Sequence, residues 1–354
     1  MDIKRIILLS FSMVLILGIV ESFEYDAKEL ESEEGWQGMY ERWRNHHNVQ
    51  EVSEDEKVAR LSVFKTNVQH VHNTNNMNKA YKLKVNKFAT MTNHEFRNTY
   101  AASNIKHYRK LRGPRKESFM YENVACVPPT VDWRSHNVVT PAKDQANCGA
   151  CWAFSTVVAV EGINAIKTGE LVSLSEQHLI DCDTVLNEGC DGGLMEPAFI
   201  FLQLNGGLTT EQNYPYIAQN GTCDPEKVRN QAVTIDGFED VPECNEDALL
   251  KAVANQPVSA AIDANGHDFQ FYSSGVFTGK CGTDVNHAVA VVGYGETQEG
   301  MKYWIVKNSW GPLWGEDGFV RLQRGVPDPL GLCGIAVEPS YPIKNSNNPI
   351  NHEL

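Results

Sequence analysis

Read by the spacing of its apolar positions, the chain divides into segments of different texture. A short uninterrupted apolar run, Ile6 to Val20, comes first. From Trp36 to about Asn78, apolar Tyr40, Trp43, Val58, Leu61, Phe64, Val68 and Val71 recur among charged residues at helical spacing, predicting amphipathic helix. Tyr81 to Phe88 then alternates strictly, the period of a short strand. Residues 101–126 are basic, contain Gly113-Pro114-Arg115-Lys116, and read as an exposed linker open to proteolysis.

A new globular region begins at Val127-Pro128-Pro129. Phe154, Val157, Val158, Ile163 and Ile166 mark a helix that Gly169 is placed to stop. Ser173–Cys182, with Ser175 as a candidate cap, and Ala248–Asn255 predict two more helices. Beyond them the texture turns to strands at Val258–Ile262, His287–Val292, Tyr303–Lys307 and Phe319–Arg324, between glycine-rich turns. Helix-rich first and strand-rich second, this region predicts an α+β fold of two subdomains.

Composition narrows the setting. At 354 residues and 42% hydrophobic, the chain can bury a large core in one to three domains. The basic start Met1–Arg5 and the run after it predict a signal peptide over 1–22, cleaved near Ser22–Phe23, with no membrane association after its removal. In an oxidising compartment the nine cysteines suggest disulfides, and their odd number leaves at least one unpaired. Asn220-Gly221-Thr222 is a candidate glycosylation sequon. Residues 1–126 hold 19 Lys and Arg against 16 Asp and Glu, a net of +3, whereas 127–354 hold 12 against 29, a net of −17. The two parts are expected to attract each other, and nothing in the pattern indicates nucleic-acid binding.

The candidate chemistry centres on Gln145-Ala146-Asn147-Cys148-Gly149-Ala150-Cys151-Trp152. Cys151 falls at the start of a helix, where unpaired N–H groups and the macrodipole favour a thiolate once an imidazolium is near. Cys148 and Cys151 also form a Cys-x-x-Cys pair. A redox dithiol would need a thioredoxin-like strand before it, and zinc would need a second ligand pair; neither context is evident.

Asn286-His287-Ala288-Val289 and Lys307-Asn308-Ser309-Trp310-Gly311 supply an imidazole and an amide. With these motifs the chain resembles papain-family cysteine endopeptidases, and among them the plant KDEL-tailed, vignain-like subgroup, over nearly its whole length. The resemblance implies a helical left subdomain, a β-barrel-like right subdomain and an N-terminal helical inhibitory prodomain, divided as propeptide 23–126, catalytic domain 127–343 and tail 344–354. It implies Cys151 as nucleophile, His287 as general base and acid, Asn308 as orienter of the imidazole, Gln145 as oxyanion-hole donor, and Trp310 as a shield over the Asn308–His287 bond. Gly192 and Gly193 become a backbone strip for an extended peptide. Leu194, Met195, Ala261 and Ala288 line the S2 pocket, and Glu338 stands at its floor, where the plainer alternative is a solvated surface carboxylate. Small Ala261 leaves that pocket roomy for an apolar P2 residue, with Glu338 also admitting a basic one. The implied bridges are Cys148–Cys190, Cys182–Cys223 and Cys281–Cys333. Cys126 and Cys244 fall outside that pattern, so whether they pair stays open.

Glu56-x₃-Arg60-x₃-Phe64-x₂-Asn67-x₃-Val71-x₃-Asn75 resembles the ERFNIN helix of the family's propeptides, with Val71 for the usual Ile. The resemblance implies an intramolecular inhibitor that runs backwards through the cleft. Its histidines, His46, His47, His70, His72, His94 and His107, suggest loosening in acid and self-cleavage before Val127. No cofactor or metal is implied. Implied partners are peptide substrates, the propeptide itself and cystatin-type inhibitors of a monomeric enzyme. The implied setting is protein breakdown in senescing, dying or germinating plant tissue.

Departures from the family pattern are Ala146 for Gly, Ala150 for Ser, Asn286 for Asp and Thr90 for Asp. The terminal Asn351-His352-Glu353-Leu354 keeps only the second half of a retrieval signal, which leaves endoplasmic-reticulum-derived vesicles, the vacuole or the outside as destinations. A catalytically attenuated storage or binding homologue is the rival reading.

Overall fold

The computed structural model describes residues 23–50, 53–103, 105–112 and 119–345. The expected signal peptide, the Gly113–Lys116 stretch and the Asn351–Leu354 tail lie outside the described residues.

The first part is a small helical module. Ser32 caps α1 (Glu33–His47) by accepting from Gly35 N, and Ser53 caps α2 (Glu54–Asn75) by accepting from Glu56 N, each satisfying an N–H left free at a helix start. Trp36, Tyr40 and Trp43 of α1 pack on Phe64, Val68 and Val71 of α2. The polar members of the α2 motif fasten the chain that follows. Asn67 Nδ2 donates to the carbonyls of Ala89 and Met91 at 2.9 Å each, and Asn75 exchanges two bonds with the backbone of Leu83. Arg60 reaches Thr90 O and Glu95.

The alternation from Tyr81 to Phe88 yields a strand only over β1 (Tyr81–Leu83). It stops because Asn86 Oδ1 accepts from Phe88 N and turns the chain, while Asn86 Nδ2 donates to Gln270 O. Two short helices follow, α3 (Asn93–Tyr100), closed by a Thr92/Glu95 capping box, and α4 (Ile105–Arg112). The linker reading of 101–126 is corrected here. Among the described residues of the stretch, Ile105 and Tyr108 are buried, Phe119 and Tyr121 pack against the main core, and only part is exposed.

The larger part has two halves. After β2 (Val131–Asp132), the helical half comprises α5 (Cys151–Thr168), α6 (Glu176–Cys182) and α7 (Met195–Asn205). Gly169 ends α5 at φ 81°, and Ser175 caps α6 by accepting from His178 N. Helix α5 is buried on all sides from Cys151 to Ala165, which a helix achieves only inside a core. The other half contains β3 (Gly237–Asp240), α8 (Glu246–Val253), β4 (Val258–Ile262), α9 (His267–Gln270), β5 (Tyr272–Phe277), β6 (His287–Glu296), β7 (Lys302–Lys307), β8 (Phe319–Gln323) and β9 (Ser340–Ile343).

The sheet order is β1-β5-β8-β7-β6-β4-β9-β3, with β2 also on β6. Strand β1 of the helical module thus extends the sheet of the larger part, antiparallel to β5. The two halves meet at α5, where Ser155 Oγ donates to Val289 O (2.6 Å) and Ser259 Oγ to Ser155 O (3.0 Å). The fold is mixed helix and sheet in two subdomains with a helical N-terminal module, as expected.

Candidate active site

Cys151 is the first residue of α5, and Ala150 before it supplies no side-chain cap. The helix start therefore keeps N–H groups available at the sulfur. His287 is the first residue of β6, paired with Ile262 of β4, so the junction between the halves brings imidazole and thiol together. Ala288, next to His287, packs in the same cluster as Cys151. His287 Nε2 meets Asn308 Oδ1 at 2.7 Å, and the same oxygen accepts from Ser309 N at 2.8 Å. His287 Nδ1 has no hydrogen-bond partner. With Nε2 tied to an acceptor as N–H, Nδ1 is the nitrogen left to take a proton. Trp310 stacks on the imidazole with centroids 4.7 Å apart.

Gln145 is buried with a fixed amide. Its Oε1 accepts from Ser309 Oγ and its Nε2 donates one hydrogen to Cys148 O at 3.0 Å, leaving the second N–H for another acceptor. Tyr216 O–H holds the Gln145 carbonyl at 2.6 Å. Ala146 occupies the left-handed region at φ 50°. An L-residue there costs about 1 kcal/mol, a strain glycine would not carry. Ala146→Gly is expected to raise the melting temperature by a few degrees at about 1 kcal/mol; no rise would show that the loop has relaxed around the methyl group.

The structure contains the bridges Cys148–Cys190, Cys182–Cys223 and Cys281–Cys333. Because Cys148 is bonded to Cys190, both the dithiol and the zinc readings of Cys148/Cys151 fall. Cys126 and Cys244 are unpaired and exposed. Asn220 is exposed, and its Oδ1 accepts from Cys190 N at 2.7 Å.

The N-terminal module fills this site. Ser103 N donates to Asn286 O at 3.1 Å, and its hydroxyl approaches the Cys151 sulfur. Asn286 holds its loop through Oδ1, which accepts from Ala264 N. Ser103 and Tyr108 lie over Gly192, where a Cβ would come 3.2 Å from the Tyr108 ring. Ile105 and Tyr108 of α4 pack with Leu194, Ala261, Val285 and Val337. Met195 and Ala288 belong instead to the core of the helical half. Arg109 of α4 pairs with Glu338 and with Glu243. Glu338 is fully buried, so the solvated-surface alternative for it fails.

Around Trp310 the module adds Phe88, Phe96 and Tyr100 as edge-on rings, and Tyr100 O–H donates to Asn147 Oδ1 (2.9 Å) in the loop before Cys151. Burial under this cover pushes the Cys151 thiol up to about 11 and the His287 imidazole down to about 4, the latter against the opposing Asn308 bond. Thiol and imidazole are therefore both neutral near pH 7. Sequence reasoning missed Ser309, Tyr216, Ser103, Tyr108 and Arg109. The last three sit in the stretch read as linker, where only the apolar Ile105 and Tyr108 hinted at burial.

The papain family cysteine protease domain matches residues 127–343, and the cathepsin propeptide inhibitor domain (I29) matches 40–96. Vignain of Ricinus communis is 63% identical over 347 residues, 98% of this chain and 96% of that protein. The KDEL-tailed cysteine endopeptidase CEP2 of Arabidopsis thaliana is 59% identical over 351 residues, 98% and 97% of the two chains. Among solved structures, the proform of Amb a 11, a cysteine protease and major ragweed pollen allergen, superposes with a TM-score of 0.88 at 54% identity, covering 92% of this chain and all of that one. The chain belongs to the papain family of cysteine proteases and carries a propeptide inhibitor domain of the cathepsin type.

Proposed function

We propose that this zymogen becomes an endopeptidase in which Cys151, His287, Asn308 and Gln145 carry the chemistry. The observation that supports this most is the prosegment itself: Ser103 lies across the sulfur and bonds the Asn286 carbonyl, as a substrate N–H would. When the prosegment leaves, water returns and the desolvation that holds both groups neutral is relieved. The Cys151 proton passes to His287 Nδ1, and the thiolate adds to a peptide carbonyl. The second N–H of Gln145 and the Cys151 backbone N–H face the oxyanion. Collapse of the adduct expels the amine, which takes its proton from His287. Water, deprotonated by His287, then hydrolyses the thioester and returns the thiol. Asn308 keeps the proton-accepting nitrogen pointed at sulfur throughout. The decisive experiment incubates purified zymogen in acid with a Phe-Arg fluorogenic peptide. Activity that appears with loss of the prosegment and is blocked by a thiol-directed epoxide supports the reading; a trimmed, folded and silent enzyme would favour the storage or binding homologue.

The substrate pocket follows from what occupies it in the zymogen. Ile105 and Tyr108 fill an apolar wall, and Arg109 reaches Glu338. An apolar P2 preference with tolerance of a basic residue fits both contacts. Glu338→Gln is expected to lower kcat/KM for P2-Arg peptides about tenfold, the size of a buried charge-assisted bond, while leaving P2-Leu peptides within about twofold. Equal losses on both series would remove Glu338 from the pocket.

Acid-driven removal of the propeptide, cleavage before Val127, passage through the secretory pathway towards vesicles or the vacuole, and protein breakdown in plant tissue complete the proposal. Of these, passage through the secretory pathway is supported by the likeness to the KDEL-tailed relative.

A further inference from the structure

The strip Gly192–Leu194 is held from behind by a side chain to which neither the mechanism nor the family motifs give a role. Asn187 is 1% exposed, and its Oδ1 accepts from Leu194 N at 2.8 Å. A Cβ at Gly193 would lie 2.5 Å from that same oxygen, so the carboxamide sits directly beneath the strip and requires glycine there. The other end of the amide is oriented by a carboxyl: Asn187 Nδ2 donates to Asp183 Oδ2 at 2.6 Å, and Asp183 is itself 3% exposed. The turn between them closes through Glu188 N to Gly192 O at 2.9 Å. The far end of the strip is already fixed by the Cys148–Cys190 bridge and by Gly149 N to Cys190 O at 2.8 Å.

A buried amide with both ends committed has one orientation, because a flip would set its NH₂ against the Leu194 N–H and its oxygen against the Asp183 carboxyl. A buried carboxyl whose hydrogen-bond partner is one side-chain amide is costly, and burial pushes Asp183 up to about 7. We infer that Asn187, oriented by Asp183, is a positioning residue for the reaction: it sets the height and tilt of the Gly192–Leu194 backbone against which an extended substrate pairs. This rests on the cysteine-protease reading and on that strip as the peptide-binding edge.

The zymogen is expressed whole and converted in acid, and two rates are compared. Hydrolysis of a dipeptidyl fluorogenic substrate needs the strip; alkylation of Cys151 by iodoacetamide needs only the thiol and imidazole. For Asn187→Ala, KM is expected to rise about tenfold, the scale of one buried hydrogen bond and its unpaired partner, with kcat and the alkylation rate within about twofold of wild type. Asp183→Ala, which leaves Asn187 in place, is expected to raise KM about threefold, and Asp183→Asn, which keeps an acceptor for Asn187 Nδ2, to restore it. Alkylation and hydrolysis falling together in both alanine variants, or an Asp183→Asn enzyme no better than Asp183→Ala, would make the pair a general support of the fold and overturn the inference. A wild-type converted enzyme that neither hydrolyses peptide nor alkylates faster than a free thiol would instead sink the underlying reading.

Discussion

Replacing Cys151 by alanine is expected to give a zymogen that folds and stays intact in acid, with peptide hydrolysis reduced by at least about ten-thousandfold. The change removes the only sulfur at the helix start beside His287; Cys148 is locked in a bridge, and the unpaired Cys126 and Cys244 lie exposed on the surface. Conversion should also fail, because an enzyme that trims itself needs the same nucleophile. Mixing the variant with a trace of converted wild type separates the two consequences: the prosegment should then be removed in trans while hydrolysis stays absent. Gln145→Ala is the graded companion. It leaves the thiol and imidazole in place but deletes the N–H aimed past Cys148 O, and kcat should fall about 10²- to 10³-fold with little change in KM. If Cys151→Ala zymogen still trims itself in acid and hydrolyses the peptide, the nucleophile lies elsewhere and the proposed mechanism is wrong.

Converting His267 to phenylalanine is expected to make the zymogen acid-resistant, slowing conversion at pH ~5 by about tenfold. The prosegment grips the catalytic half at α9 through a compact charged cluster. His70 of α2 stacks on His267 with centroids 4.0 Å apart and bonds Asp268 at 2.8 Å. Lys79 bonds the same carboxylate at 2.8 Å, and Tyr81 of β1 adds its hydroxyl. Asn67 meets His267 Nε2 at 3.0 Å, and Lys280 lines the same depression. Burial, reinforced by the His70 charge, holds His267 down to about 4 against its ordinary 6.5.

A group lowered in the docked state favours docking while it is neutral. That contribution is complete above about 6.5 and is lost as pH falls through about 4, because the released prosegment lets His267 take a proton that the docked one resists. Asp268 works in the opposite range. The His70, Lys79 and Tyr81 bonds hold its carboxyl far below the usual value, so its ion pairs persist through the pH at which His267 gives way. Phenylalanine keeps the stack with His70 and Phe271 without a titrating nitrogen. The measurement is the pH midpoint of zymogen conversion, read against added active enzyme so that chemistry is not limiting. An unchanged midpoint would place the acid trigger at a group other than His267.

Sequence alone carried what depends on neighbours along the chain. Cys151 at the start of a helix, Gly169 at its end, Ser175 as a cap and the strands at 258–262, 287–292, 303–307 and 319–324 all follow from capping chemistry and period, which act within a few residues. The motifs around Cys151, His287 and Asn308 identified the family for the same reason: short runs of chemistry survive without a third dimension. Tertiary structure decided the rest. Helix α7 and strands β3, β5 and β9 carry weak local signals, and burial against distant partners selects their form; β9, for instance, pairs with both β3 and β4. The strand expected to reach Phe88 ends at Leu83 because Asn86 finds partners in the catalytic half. The basic stretch after 101 looks like linker until Glu338 and Glu243, more than 130 residues away, meet Arg109, and an apolar pocket closes on Ile105 and Tyr108. Ser309 orienting Gln145 and His70 stacked on His267 are likewise contacts between residues remote in sequence or on opposite sides of an interface. Such pairings leave no period to read, because each is set by where two packed elements bring their side chains rather than by the order in which the residues are joined.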